Sequence, residues 1–80
     1  MNNCQYFVYI LRCNDNSLYK GITYDIEKRF HQHLLGQCLS TKNKCPKLIF
    51  VQVCKNRVEA RYLEKYLKSG TGREIIAELY

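Results

Sequence analysis

The sequence predicts an α/β domain in which a small three-stranded antiparallel sheet is flanked by helices, in the order β-β-α-β-α-α. Three observations carry that expectation. Residues 5–13 and 18–23 are two runs rich in aromatic and β-branched side chains, set around the polar stretch Asn14-Asp15-Asn16-Ser17, which is the pattern of a hairpin. Two later stretches, 25–36 and 57–68, repeat apolar residues at helical spacing. Between them, residues 47–54 form a nearly continuous apolar run that reads as a third strand.

In the first strand, Tyr9, Leu11 and Cys13 share one face while Val8, Ile10 and Arg12 share the other. Apolar atoms therefore occur on both sides, as in a central strand. The side chains of residues 14–17 bond their own backbone and tolerate left-handed geometry, so the chain reverses there. The second strand runs from about Leu18 to Thr23. Gly21 inside it is costly unless a bulge, or a closely approaching group such as a phosphate beside Tyr19, requires the missing side chain. Thr23 or Asp25 can cap the helix that follows, and Asp25 and Glu27 suit the positive end of its dipole. Ile26, Phe30 and Leu34 make its expected buried stripe; Arg29 and His33 are also four residues apart, on an adjacent flank. The helix ends near Gly36.

Residues 37–47 contain Ser40, Thr41, Lys42, Lys44, Lys47 and the only proline, Pro46, and read as an exposed, mobile basic loop short of apolar anchors. After the third strand, Asn56 and Glu59 have the spacing of a capping box. In the second helix Ala60, Leu63 and Leu67 mark the core side, supported by Tyr66, and Glu64 falls along the edge of that face. Residues 69–72 break this helix. Arg73 to Tyr80 then form a short final helix, with Ile75, Ile76 and Leu79 available for docking.

Eighty residues make one domain, spanning 1–80. Thirteen Lys and Arg against seven Asp and Glu leave a net charge of +6, which favours a polyanionic partner such as nucleic acid over an incidentally basic surface only when other features agree. No apolar run approaches the roughly 18 residues that a membrane span requires. The first residues lack the pattern of a signal peptide, so a cytoplasmic location is expected. Five cysteines without a Cys-x-x-Cys pair fit neither a disulfide framework nor a familiar zinc site. Cys13 and Cys54 read as small core residues. Cys38 and Cys45, with His31 or His33, are a weaker candidate for metal ligands than for free thiols; Cys4 carries no assigned role.

Several side chains suit phosphodiester chemistry. Arg29 offers a planar cationic fork that matches phosphate oxygens, although a salt bridge to Asp25 is the plainer use. Tyr9 and Tyr19 could handle protons or simply pack across the strands. His33 could share a proton with one of them or face solvent. Lys20 should point away from Tyr19 and Gly21. One carboxylate suffices for a magnesium ion that keeps most of its waters, and Glu64 is the candidate.

In order and spacing, Val8-Tyr9-Ile10, Tyr19-Lys20-Gly21, Arg29, His33, Glu59-Ala60, Glu64, Leu67-Lys68-Ser69-Gly70 and Gly72-Arg73-Glu74 resemble the GIY-YIG nuclease domain. The likeness is to its small single-domain members, related to the N-terminal module of the UvrC repair nuclease, and it extends over nearly the whole chain. It implies a metal-dependent endonuclease that hydrolyses DNA phosphodiester bonds in repair or processing, with little sequence specificity. In that reading Glu64 holds Mg²⁺ or Mn²⁺, Arg29 clamps the scissile phosphate, and Tyr9, Tyr19 and His33 serve the active site. Lys20, Gly21, Lys42, Lys44, Lys47 and Arg73 lie along the nucleic acid, which is branched, damaged or single-stranded DNA. The competing expectations are a non-catalytic nucleic-acid-binding module and a protein-interaction domain with the same fold.

Overall fold

The computed structural model describes residues 5–38 and 41–79, the side chain of Leu79 excepted. Expectations for Cys4, Ser40, Tyr80 and the docking of Leu79 lie outside the described residues. Strands β1 (Tyr6–Arg12) and β2 (Leu18–Thr23), helix α1 (Ile26–Leu34), strand β3 (Lys47–Cys54) and helices α2 (Arg57–Lys68) and α3 (Gly70–Leu79) follow the expected order. The strands form one antiparallel sheet in the spatial order β2-β1-β3. Among the described residues no helix is long and apolar enough to cross a membrane.

Strand β1 is central because it can bury both of its faces. Val8 and Ile10 join Cys54, Ala60, Leu67 and Ile76 in the core beneath α2 and α3, with Leu63 and Phe50 packed at its margin. Tyr9 and Leu11 alternate to the opposite face and are equally buried. The hairpin closes as the side-chain chemistry dictates: Asn16 adopts φ 68° and donates its N–H to the Cys13 carbonyl at 2.9 Å. Asp15 Oδ1 accepts from the Ser17 N–H at 3.0 Å. The resulting register pairs Tyr9 with Gly21 and Leu11 with Tyr19, and it passes through Gly21 without a bulge. The irregularity lies on the other side, where β3 gains a residue opposite Ile10 and Leu11.

Helix α1 is capped by Asp25, whose Oδ1 accepts from the Lys28 N–H at 3.1 Å; Thr23 supports the entry by accepting from the Asp25 N–H. The helix stops at Gly36, which takes φ 75°. Its inward residue differs from expectation. Leu34 is 53% exposed while His33 is fully buried. The two positions are about 100° apart around a helix, and the group that α1 meets on the sheet is a hydroxyl, so the imidazole turns inward and the leucine outward.

Three further expectations are corrected. The 37–47 loop is anchored by polar groups: Thr41 is fully buried, Pro46 is buried, and the Lys44 carbonyl accepts from the Asn14 N–H at 2.7 Å. Tyr66 and Ile75 are exposed, because Ala60, Leu67 and Ile76 already complete the contact with the sheet. Helix α3 begins at Gly70, three residues earlier than the Gly-rich spacing suggests, because Ser69 alone makes the break. It is extended, its Oγ donates to the Tyr66 carbonyl, and the same Oγ accepts from the Gly72 N–H at 3.3 Å. At the other end of α2, Asn56 Oδ1 accepts from the Glu59 N–H at 2.8 Å, but Glu59 reaches back to the Lys55 N–H at 3.1 Å, one residue before the cap.

Gly72 is where α3 crosses the end of α2. A Cβ there would meet the Tyr66 carbonyl oxygen and stand 2.7 Å from Leu67 Cα, whereas one on Gly70 would meet nothing within 4 Å. Backbone cannot yield as a side chain can. Gly72→Ala should therefore lower stability by about 1–3 kcal/mol, read as a fall in the midpoint of thermal unfolding, while Gly70→Ala should leave it unchanged or raise it slightly. Equal midpoints for the two variants would refute the tight crossing.

Candidate active site

Four of the side chains singled out in the sequence, Tyr9, Tyr19, Arg29 and His33, are brought together on the sheet face opposite α2 by three local devices, whereas Glu64 and Lys20 are not part of that cluster. The hairpin register sets Tyr19 directly across from Leu11 and beside Tyr9, with ring centroids 6.2 Å apart. The helical spacing of Arg29 and His33 directs both toward the same hydroxyl. Gly21, directly opposite Tyr9, leaves the space into which that ring leans: a Cβ on Gly21 would lie 2.5 Å from the Tyr9 hydroxyl oxygen. The space above Gly21 thus belongs to the Tyr9 ring, in place of either the bulge or the phosphate considered from sequence.

The Tyr9 oxygen is the hub. Arg29 Nε donates to it at 3.3 Å, and His33 Nε2 lies 3.0 Å away. The other imidazole nitrogen, Nδ1, is 2.7 Å from Thr41 Oγ1. With the guanidinium donating, one consistent arrangement has the Tyr9 O–H donate to Nε2 and the Nδ1–H donate to Thr41, which makes the imidazole neutral. The electrostatics agree. Burial, reinforced by the Arg29 charge, lowers the His33 pKa. Burial also pushes the Tyr9 phenol up to about 12, against the opposing pull of the Arg29 hydrogen bond. Arg29 is raised, chiefly by its bond to Tyr9. Its Nη1 donates to Gln32 Oε1 at 3.1 Å, while Asp25 is engaged in capping, so the salt bridge weighed from sequence is replaced by these two bonds.

Tyr9 is 1% exposed. Tyr19 is only partly buried and stacks edge-on to His33, with centroids 4.8 Å apart. Beyond Arg29, a cleft of about 360 Å³ is lined by Lys28, Gln32, Asp25, Tyr24 and Arg57 among others. Arg29 therefore joins the tyrosine cluster to an open polar cleft in which cations outnumber the one carboxylate.

Glu64 stands on α2, on the flank of a groove of about 540 Å³ that it shares with Arg61, Tyr62, Lys65 and Lys68. Its ion-pair partner is Lys68, with Nζ and Oε2 3.4 Å apart, and among the described residues no ion pair joins it to Arg29. Lys20 lies on the α2 side of the sheet, opposite to Tyr19, where burial and the nearby charges of Arg73 and Lys68 lower its pKa. Lys20, Lys68 and Arg73 thus form one basic cluster next to Glu64. Lys42 and Lys47 are exposed, and Lys44 pairs with Asp15 at 3.4 Å beside the hairpin turn. Both His33 nitrogens are engaged, so His33 is not a ligand partner for Cys38 and Cys45; those two and the buried Cys13 and Cys54 are free thiols.

Among the described residues no three His, Cys, Asp or Glu side chains gather. A carboxylate that leaves a hydrated ion most of its waters is therefore the kind of ligand the chain can offer. Glu64 fits that use, being partly open to a groove with room for hydrated ligands and paired only with an exposed lysine that can swing away.

A model of the GIY-YIG catalytic domain matches residues 5–75. The chain belongs to the GIY-YIG family. Members of this family are nucleases, their substrate is nucleic acid and they generally use divalent metals. Among its relatives, the UPF0213 protein of Cronobacter sakazakii is 38% identical over 88% of this chain and 76% of its own length. YazA, the UPF0213 protein of Bacillus subtilis, is 37% identical over the full chain and 81% of its own length. The solution NMR structure of a UPF0213 protein from Bacillus halodurans superposes with a TM-score of 0.59 at 28% identity, covering 94% of this chain and 84% of that one. In the GIY-YIG chain described here, sequence reasoning missed Thr41, Gln32 and Lys68. Gln32 follows Arg29 by three residues and Lys68 follows Glu64 by four, both legible as helical neighbours. Nothing in the loop composition marks Thr41.

The buried neutral imidazole makes stability depend on pH. The folded pKa of His33 lies below the ordinary imidazole value of about 6.5, so the unfolded chain takes up the proton first and stability falls as pH drops through that value. Thermal unfolding followed from neutral to mildly acidic pH should show this fall, and His33→Gln should remove most of it. A wild-type midpoint that does not change over this range would contradict the buried neutral state.

Proposed function

We propose that this chain is a metal-dependent endonuclease that hydrolyses DNA phosphodiester bonds with little sequence selectivity. The observation that carries the reading is the convergence of Arg29 and His33 on the Tyr9 oxygen, with Tyr19 beside them at the solvent side. Phosphodiester hydrolysis needs an attacking water held in line and positive charge aimed at the phosphoryl oxygens. Arg29 supplies the charge. Tyr9 and Gln32 hold Nε and Nη1 and Tyr19 also faces the guanidinium, so the fork is oriented for a phosphate.

Tyr9 is too deeply buried to meet water, so it positions Arg29 and His33. His33, kept neutral, accepts a hydrogen bond from the Tyr9 O–H and so leaves a lone pair of that oxygen facing the guanidinium. Tyr19 is the tyrosine that reaches the open side and orients the attacking water. Glu64 would hold the Mg²⁺ or Mn²⁺ ion, which when bound supplies Lewis-acid stabilisation of charge on the phosphate oxygens. Lys68, Lys65 and Arg61 around Glu64 oppose a dication until the phosphate brings its own negative charge. Lys20, Lys42, Lys47 and Arg73 add backbone contacts that carry no base information.

The test is cleavage of supercoiled plasmid, branched and single-stranded DNA with Mg²⁺ or Mn²⁺, with circular dichroism to confirm folding of each variant. Arg29→Lys keeps the charge but loses the fork, and Glu64→Gln keeps the shape but loses the charge. Each should slow cleavage by about 100-fold or more, and a chelator should abolish it. Metal-independent cutting, or full activity in folded Glu64→Gln, would exclude this mechanism. Tight DNA binding without cleavage would favour a binding module.

A further inference from the structure

On the outer side of α2, Val58, Tyr62 and Tyr66 repeat every four residues and are 67%, 74% and 47% exposed. Arg61, Lys65 and Lys68 run alongside them, and all three cations share one groove with Val58, Tyr62 and Glu64. These tyrosines do no work in the core, because Ala60 and Leu67 already fill the contact between α2 and the sheet. Glu64, the carboxylate of the groove, is paired with Lys68, so the cations outnumber it.

We propose that this face of α2 is a stacking platform for an unpaired strand of nucleic acid, leading that strand to Glu64. The inference rests on the nuclease reading above and deepens it by naming the substrate class. Two exposed aromatic rings beside three cations suit a single strand, whose bases expose their faces and whose phosphates lie to one side. A duplex hides those faces within its own stack, so it can use the cations but not the rings. A second copy of the chain is disfavoured by charge, because a symmetric contact across this face would set Arg61, Lys65 and Lys68 against their own equivalents. The same argument sets the substrate preference: DNA that is single-stranded at or beside the scissile bond.

The experiment measures binding without cutting, by fluorescence anisotropy of a labelled oligothymidine strand and a labelled hairpin duplex in the presence of a chelator. Tyr62→Ala/Tyr66→Ala should weaken single-strand binding by about tenfold or more while leaving duplex binding unchanged, and Tyr62→Phe/Tyr66→Phe should bind both as the wild type does. Both pairs are at exposed positions, and circular dichroism confirms their fold. Single-strand affinity that survives the alanine pair, or equal losses for strand and duplex, would overturn the proposal. So would self-association of the wild type that the alanine pair abolishes, which would assign the face to a second copy. Because no metal is present, the platform passes or fails whether or not the protein cuts: loss of strand binding in the alanine pair with cleavage intact on duplex would leave the nuclease reading standing, and strand binding without any cleavage would count against that reading alone.

Discussion

The hydroxyl of Tyr9, buried in the middle of the central strand, is the group on which the arrangement of the site depends. An interior oxygen without partners is costly, and this one is satisfied only when α1 lies across the sheet with Arg29 and His33 both turned toward it. Further requirements follow in sequence. The ring must lean over β2, so its cross-strand neighbour must lack a side chain. The imidazole must be neutral, so its far nitrogen needs a neutral partner, and Thr41 is drawn out of the loop to provide one. A polar chain of four residues therefore ties together a strand, a helix and a loop that share few apolar contacts. Such a network is exacting: complete, it specifies one geometry; with a member missing, it leaves a buried group unpaired.

The two sides of the sheet are accordingly built on different physics. Under α2 and α3 the contact is apolar, among Val8, Ile10, Ala60, Leu67 and Ile76, and tolerates exchange among residues of similar volume. Over α1 the contact is directional. The helices also differ in electrostatic role, since α1 aims one fixed guanidinium while α2 displays a row of exposed cations around Glu64. Both kinds of charge suit the proposed reaction, in which a polyanion is bound loosely along its length and one phosphate is held firmly.

Most of the fold was legible because period and turn chemistry act locally. The alternation in residues 6–12, the Asn-Asp-Asn-Ser reversal and the Asn56 cap each announced their element, and the hairpin register that juxtaposes Tyr9 and Tyr19 follows from turn length. What sequence could not show was rotation and depth. Leu34 and His33 are neighbours, and apolarity alone selects the wrong one for burial; only the presence of a hydroxyl on the facing strand decides for the histidine. Thr41 was hidden for the same reason, since a buried threonine in a lysine-rich loop is intelligible only after its imidazole partner is placed. For Gly21, sequence identified the need for missing bulk but not what fills it, because the occupant comes from another strand.

The extra residue that β3 gains opposite Ile10 and Leu11 bears on how the chain behaves in company. Strand β3 is an edge, with Val51 and Val53 partly exposed, and an unbroken flat edge of that composition would recruit further strands and nucleate aggregation. The irregularity increases the local twist and spoils the spacing of the outward backbone groups, while Pro46 and Lys47 guard its first residues. The valine edge of this basic domain is thus guarded against pairing with a further strand.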